Sequence, residues 1–386
     1  MTDIVIAGVG QLAVGEHWDL SLRQLGVRAM LAAVKDAGGL KPQSLYVGNM
    51  LGPNLSRQAH VAALLADNAN FRGIEAITIE AAGASGGAAL RQGYMAIASG
   101  MVDVALVLGV EKFTDVVGAE VEEAVATTLD SDYESIQGIT VTGQAAMLMR
   151  RYMHEYNVPA DGLAGFSLNA HANGAGNKFA MFRKAIKAET YAKGEVVSDP
   201  LNMFDVAPNA DGAAAVLLTR SDLLPKDFPH PLVKIIASSN AVDTLALHDR
   251  PNPLLFSAAR ISVEQALHKA AIAREDISFF EYHDAFGIFA ALSLEAAGFA
   301  HPGEGWKLAT DDSITLKGRI PCGTMGGLKA RGNPGGASGV YQAVEATLQL
   351  RCSAGANQLN GPSFGLIQSL GGPASTAVTH ILQRLA

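Results

Sequence analysis

Apolar positions change their period along the chain in a repeating order. Ile4-Val5-Ile6-Ala7 is a continuous apolar run that predicts a first strand. Between Ser21 and Ala37 the apolar residues Leu22, Leu25, Ala29, Ala32 and Ala33 fall at three- and four-residue spacing and stop at Gly38-Gly39. That pattern predicts an amphipathic helix with a glycine stop. Ile77-Thr78-Ile79 predicts a β-branched strand running into Ala82-Gly83-Ala84-Ser85-Gly86-Gly87, then a helix to about Ala98. Val104 to Val110 is uninterrupted apolar sequence, as expected of a buried parallel strand.

From about Lys112 to Asp205 the texture becomes richer in polar residues, Met and Tyr, with few strand signals, and reads as a long insertion or loop domain. Strand character returns at Ala213 to Leu218. From about Val233 the alternation repeats, with a helix near Ser262 to Ile272, a strand at Ile277 to Tyr282 and a helix after Phe286. A glycine-rich turn at Gly332 to Gly336 leads into a helix through Leu350, and strands near Phe364 to Ser369 and Ala377 to Leu382 close the chain. Alternating strands and helices predict an α/β protein. The texture divides it into residues 1–111 with 206–225, a loop domain 112–205, and a second half 226–386. Gly83-Ala84-Ser85-Gly86 and Gly336-Ala337-Ser338-Gly339 are the same four letters in similar places, which favours an internally duplicated fold.

Composition adds limits. The 386 residues are 49% hydrophobic and 17% charged, enough apolar material for a large core. The 41 glycines suggest close helix–strand packing. The formal charge of −8 lacks the basic footprint of a nucleic-acid binder, yet leaves open a phosphate-bearing small ligand. No run reaches the roughly 18 apolar residues of a membrane span, and the N-terminus has no basic region of a signal peptide. Cys322 and Cys352 make neither a disulfide framework nor a zinc pattern, so no metal is expected and a reducing cytoplasm is. Gly8-Val9-Gly10-Gln11-Leu12-Ala13 fits the dinucleotide pattern G-x-G-x-x-A, but no helix is predicted before about Ser21, so that reading is set aside.

Several motifs occur together. Thr78-Ile79-Glu80-Ala81-Ala82-Gly83-Ala84-Ser85-Gly86 precedes Gly109-Val110-Glu111-Lys112-Phe113-Thr114. Asn169-Ala170-His171 and Asp211-Gly212-Ala213-Ala214-Ala215 follow. Then come His283-Asp284-Ala285-Phe286 and Gly326-Gly327-Leu328-Lys329-Ala330-Arg331-Gly332-Asn333-Pro334. In this order, across essentially the whole chain, they resemble the thiolase superfamily, particularly its archaeal-type and sterol-carrier-protein branch. The resemblance implies duplicated βαβ-type halves in a five-layer αβαβα sandwich with a loop domain. It also implies coenzyme A thioesters as substrate or ligand with no covalently bound cofactor, a homodimer, and a small zinc-ribbon/OB-fold partner protein.

The same resemblance exposes two departures. Where the family places a nucleophilic cysteine at a helix N-terminus, whose dipole favours a thiolate, this chain has Gly83. Where the family has Gly-His-Pro, with the histidine as base, it has Asn333, whose amide donates a hydrogen bond but is no base near neutral pH. His283 remains as the candidate acid/base. The main chain at Gly83-Ala84 and Gly371-Gly372 is the candidate oxyanion nest. Ser369 occupies the place of a second cysteine found in many thiolases. Tyr282 and Tyr341 flank the motifs, and Arg183, Lys184 and Lys187 are set either to meet a coenzyme A phosphate or to form a solvated helix face.

Three functions follow as expectations. The first two are forms of an acyl-CoA-binding thiolase-like protein without cysteine-dependent Claisen or thiolysis chemistry, one an aldolase performing retro-aldol cleavage and the other a non-catalytic subunit. The thiolase-like steroid side-chain aldolases also carry glycine at the cysteine position, although this chain keeps His-Asp-Ala-Phe rather than their variant. The third is an ordinary acetyl-CoA acetyltransferase using a relocated thiol, for which Cys322 is the candidate.

Overall fold

The computed structural model describes residues 2–385. Its strands are β1 (Ile4–Gln11), β2 (Ser44–Gly48), β3 (Glu75–Ile79), β4 (Val104–Glu111), β5 (Val196–Ser198), β6 (Leu201–Asn202), β7 (Gly212–Arg220), β8 (Val233–Val242), β9 (Phe279–Glu281), β10 (Phe364–Gly371) and β11 (Thr376–Arg384). Nine form one mixed sheet in the order β3-β2-β4-β7-β1-β8-β11-β10-β9, and β5 and β6 make a separate hairpin. The order repeats about the β1–β8 joint. From the joint outward, β1-β7-β4-β2 and β8-β11-β10-β9 each run antiparallel, antiparallel, parallel. The joint itself is slight, with Val5 opposite Lys234 and Ile6 opposite Val233. The duplication expected from the four-letter echo is thus present in the topology. Both echoes also fold alike, as a 3₁₀ turn (Ala82–Ala84, Gly335–Ala337) followed by a helix that starts at its serine (Ser85–Ala98, Ser338–Leu350).

Five layers result. The helix Leu22–Asp36 covers the outer face of the first half-sheet, and Ser257–Ala270 covers that of the second. Between the half-sheets lie the two central helices, Ser85–Ala98 and Ser338–Leu350, which touch strands of both. They meet backbone to backbone. A β-carbon on Gly86 would stand 2.7 Å from the Gly336 carbonyl oxygen, so only glycine permits this approach. The long central helix Ser338–Leu350 is buried almost all round, as a helix between two sheets must be.

Two expectations need correction, and the dinucleotide reading already set aside is excluded. The run at Val104–Val110 is fully buried, but β4 is parallel only to β2 and antiparallel to β7. The G-x-G-x-x-A segment is no phosphate turn: β1 continues through Gln11, and Gly8 and Gly10 abut carbonyls of the helix Leu22–Asp36, leaving no room for side chains. Residues 181–187 form no helix, so Arg183, Lys184 and Lys187 are not a helix face. The segment between β4 and β7 holds the helices Ala119–Ala126, Val141–Tyr156 and Ala164–Ala175. Among the described residues no helix is long and apolar enough to cross a membrane.

Candidate active site

The strand–turn–helix at β3 is bent sharply. Ala82 adopts φ +49°, a left-handed conformation that costs a non-glycine residue of order 1 kcal/mol. Ser85 holds the bend: its Oγ accepts from Ala81 N (2.9 Å) and donates to the Ala82 carbonyl (2.6 Å). Gly83 is thereby carried to the head of a central helix and faces His283 and the end of β10. A β-carbon on Gly83 would lie 2.6 Å from the Leu370 carbonyl oxygen and 3.1 Å from His283 Cε1.

His283 follows β9 and is buried. Burial, aided by the Arg331 charge, pushes its pKa down to about 3, so the imidazole is neutral near pH 7. Its Nδ1 is enclosed without a hydrogen-bond partner. Asn333 reaches the same cavity from the second half. Its main chain is fixed on the returning segment, with N donating to the Pro208 carbonyl (2.9 Å) and O accepting from Ala210 N (3.1 Å). Its Oδ1 accepts from Ser338 Oγ (3.1 Å), which leaves Nδ2 to donate.

Gly83, His283 and Asn333 therefore line one cavity of about 100 Å³, together with Gly372, Leu370 and Met50. Residues the sequence reading did not single out complete it, notably Asn209, Phe289, Thr142 and Glu122, the last being its one carboxylate among the described residues. Asn209 carried a usable signal, because it lies two residues before the Asp211-Gly212 motif. Thr142 and Glu122 carried none, since neither lies in or beside one of the matched motifs.

Other candidates fall outside. The Ala84 N–H is spent on the Ala81 carbonyl (3.0 Å) and Ala84 is fully buried, so it is no oxyanion donor. Gly371 does not line the cavity; its Cα packs on the turn, where a β-carbon would stand 2.7 Å from the Ala81 oxygen. Ser369 Oγ donates to Gln342 Oε1 (2.8 Å) beside the central helices, away from the cavity. Tyr282 is buried outside it, its hydroxyl held protonated by burial and nearby Asp284, and its carbonyl accepts from Gln342 Nε2. Tyr341 Oη donates to the Leu12 carbonyl (2.9 Å). Arg183 is exposed beside a different, larger cavity that His171 also lines.

Both cysteines stand off the cavity wall. Cys322 is fully buried, its Sγ donates to the Ile320 carbonyl (3.1 Å), and burial, Glu281 and Asp284 push its thiol far up. Cys352 is exposed beside Arg384. Neither lines the cavity.

Buried charges brace the site from behind. Arg331 Nε pairs with Glu345 Oε1 at 3.0 Å, both out of contact with solvent, and the guanidinium lies over the Tyr341 ring. Asp284 accepts from Leu328 N (2.6 Å), fixing the loop ahead of Asn333. Glu111 accepts from Met50 N, Leu51 N, Asn49 Nδ2 and Gly336 N, so it ties the two halves together; burial pushes its pKa up to about 7.

Comparison with known proteins agrees with this architecture. Residues 4–222 match the family model "Thiolase, N-terminal domain" and residues 239–384 match "Thiolase C-terminal domain-like". An acetyl-CoA acetyltransferase of Methanothermobacter thermautotrophicus is 40% identical, covering 100% of both chains. The benzoylsuccinyl-CoA thiolase subunit BbsB of Thauera aromatica is 30% identical over 90% of this chain and 89% of its own. Among solved structures, the Ltp2-ChsH2(DUF35) aldolase superposes with a TM-score of 0.83 at 22% identity, covering 99% of this chain and 98% of that one. The Acat5 thiolase of Ascaris suum in complex with coenzyme A gives 0.73 at 17% identity, covering 99% and 100%. By sequence along both halves and by fold, this chain belongs to the thiolase superfamily.

Proposed function

We propose that this protein binds a coenzyme A thioester in the cavity between Gly83, His283 and Asn333 and polarises its carbonyl without forming an acyl-enzyme. The observation that carries this reading is the fit at Gly83. The Leu370 carbonyl stands 2.6 Å from where a side chain would begin, so main chain occupies the place a nucleophile needs. Two relatives bear the name acetyl-CoA acetyltransferase, but acyl transfer through the enzyme needs an activated nucleophile, and neither cysteine reaches the cavity. Loss of nucleophile or base costs on the order of 10³–10⁶ in rate where such groups act as a unit. What remains is a pair of neutral donors. His283 with its lowered pKa serves as hydrogen-bond donor rather than base, and Asn333 Nδ2 supplies a second bond to an enolate or thioester oxygen.

Such donors suit retro-aldol cleavage of a β-hydroxyacyl thioester. The Cα–Cβ bond breaks, its electron pair passes into the enolate held by the two donors, and the β-hydroxyl gives its proton to a base as it becomes a carbonyl. The enolate then takes a proton at Cα. Glu122, the one carboxylate on the cavity wall among the described residues, favours this second reading as the base.

The test is mass spectrometry after incubation with acetyl-CoA, combined with calorimetry. Binding without any mass shift is expected. A covalent acyl adduct on any residue overturns the proposal. Turnover of a β-hydroxyacyl-CoA that is lost in Glu122→Gln and His283→Ala separates the aldolase from a passive binder.

The homodimer belongs to the same proposal. It is supported by β3, which pairs only with β2 among the described residues and carries the half-exposed Ile77 on the sheet edge. A small zinc-ribbon/OB-fold partner is supported by the solved neighbour, a complex named Ltp2-ChsH2(DUF35). The cytoplasm as compartment rests on two unpaired cysteines.

A further inference from the structure

Val206 and Ala207 line two cavities. One is the candidate active site, of about 100 Å³, and the other is a chamber of about 830 Å³. The first is about an eighth the size of the second. The second falls in the roughly 300–1,000 Å³ range of sites that enclose whole organic ligands. The chamber wall is largely apolar. His171 stacks on Phe182 with ring centres 5.8 Å apart and meets Phe204 edge-on at 6.1 Å, and Met181, Ile186 and Met203 extend the surface. No carboxylate lines it among the described residues. Its cations are the exposed Arg183 and Lys184 and the buried Lys329, whose Nζ is engaged by the Asp205 carbonyl at 2.5 Å.

We infer that this chamber receives the acyl chain of the thioester, so that the protein selects long or ring-bearing apolar acyl groups over acetyl. The inference rests on the coenzyme A reading above and names its substrate class. Three observations support it together. The active-site cavity is by far the smaller of the two, and the chamber adjoins it across a shared Val206-Ala207 wall. The chamber surface rewards apolar burial and offers little to the amides of a pantetheine arm, which need partners when they leave water. Met203 and Phe182, both more than a third exposed, are the kind of apolar surface a soluble chain covers when a ligand arrives.

The test is calorimetry on the full chain with coenzyme A, acetyl-CoA and decanoyl-CoA, using wild type and the chamber-filling variants Ile186→Trp and Met203→Trp, with melting curves to verify folding. Each buried methylene tightens binding by roughly fourfold, from about 0.8 kcal/mol. Decanoyl-CoA is therefore expected to bind wild type about 100-fold or more tightly than acetyl-CoA. At least one tryptophan variant is expected to erase most of that difference while leaving acetyl-CoA unchanged. If both folded variants keep the full preference, or if wild type shows none while still binding acetyl-CoA, the chamber assignment fails alone. Equal weakening of coenzyme A and acetyl-CoA overturns it by placing the coenzyme itself in the chamber. Free decanoate binding that is blocked by Ile186→Trp, with no gain from its attachment to coenzyme A, overturns it in favour of a separate effector. Failure of wild type to bind coenzyme A or either thioester removes the coenzyme A reading and this inference together.

Discussion

A β-carbon on Gly83 would stand 3.1 Å from Cε1 of His283, so the residue without a side chain and the one titratable motif residue left in the cavity face each other directly. Anything added at position 83 presses at once on an imidazole and on a main-chain carbonyl. The carbonyl belongs to β10 and has little freedom to move.

Sulfur placed at position 83 is therefore expected not to give thiolase chemistry by itself. Gly83→Cys is expected to lose about 1–3 kcal/mol of stability through overpacking and to show no acetoacetyl-CoA thiolysis above wild type. Chemical denaturation and a thiolysis assay check both. A stable, thiolytically active Gly83→Cys would show that the turn relaxes easily and that Asn333 suffices beside a thiol.

Cys322→Ala tests the relocated-thiol alternative. The thiol is fully buried and bonded to a carbonyl, so its replacement is expected to cost about 1 kcal/mol of stability and nothing in acetyl-CoA binding. Loss of a measured thiolysis activity on this change would instead place the nucleophile there.

The Arg331–Glu345 pair is expected to couple strongly. Arg331→Met leaves Glu345 uncompensated in the core and should cost about 3–5 kcal/mol, whereas Arg331→Met with Glu345→Leu should recover most of that loss. A double-mutant cycle by urea unfolding measures the coupling. A coupling energy near zero would mean the two charges are neutralised independently.

Acid lability follows from two buried imidazoles. Burial pushes His283 down to about 3 and His380 to about 4, against an ordinary value of 6.5. Below about pH 6.5 the unfolded chain takes up protons on these groups that the folded chain refuses. The stability they carry is present above that pH and lost as pH falls toward their folded values, at about 1.4 kcal/mol per pH unit for each group. Histidine-labelled NMR should show both resonances untitrated from pH 8 to 5, with unfolding midpoints falling as pH drops. A His283 resonance that titrates near 6.5 would return it to the role of general base.

Sequence alone determined the alternation of strands and helices, the duplication signalled by the repeated Gly-Ala-Ser-Gly, and the residue identities Gly83 and Asn333, where the resemblance implies a cysteine and a histidine. These are local properties, written in periodicity and in residue identity. It missed β2, whose five residues are too short and too mixed to show a period although all are buried. It also placed Ala84, Gly371, Ser369 and Tyr282 at the site because they sit in or beside segments that the resemblance matches. Only the tertiary structure decided which atoms of a motif face the cavity, since neighbours along a turn or strand point to opposite sides. The packing of β10 against the turn turns Gly372 inward and Ser369 toward Gln342, and it closes the space above Gly83. The chamber beside Val206 likewise exists only where the loop segment folds back onto the helix ending at Arg331, a meeting of residues more than a hundred positions apart.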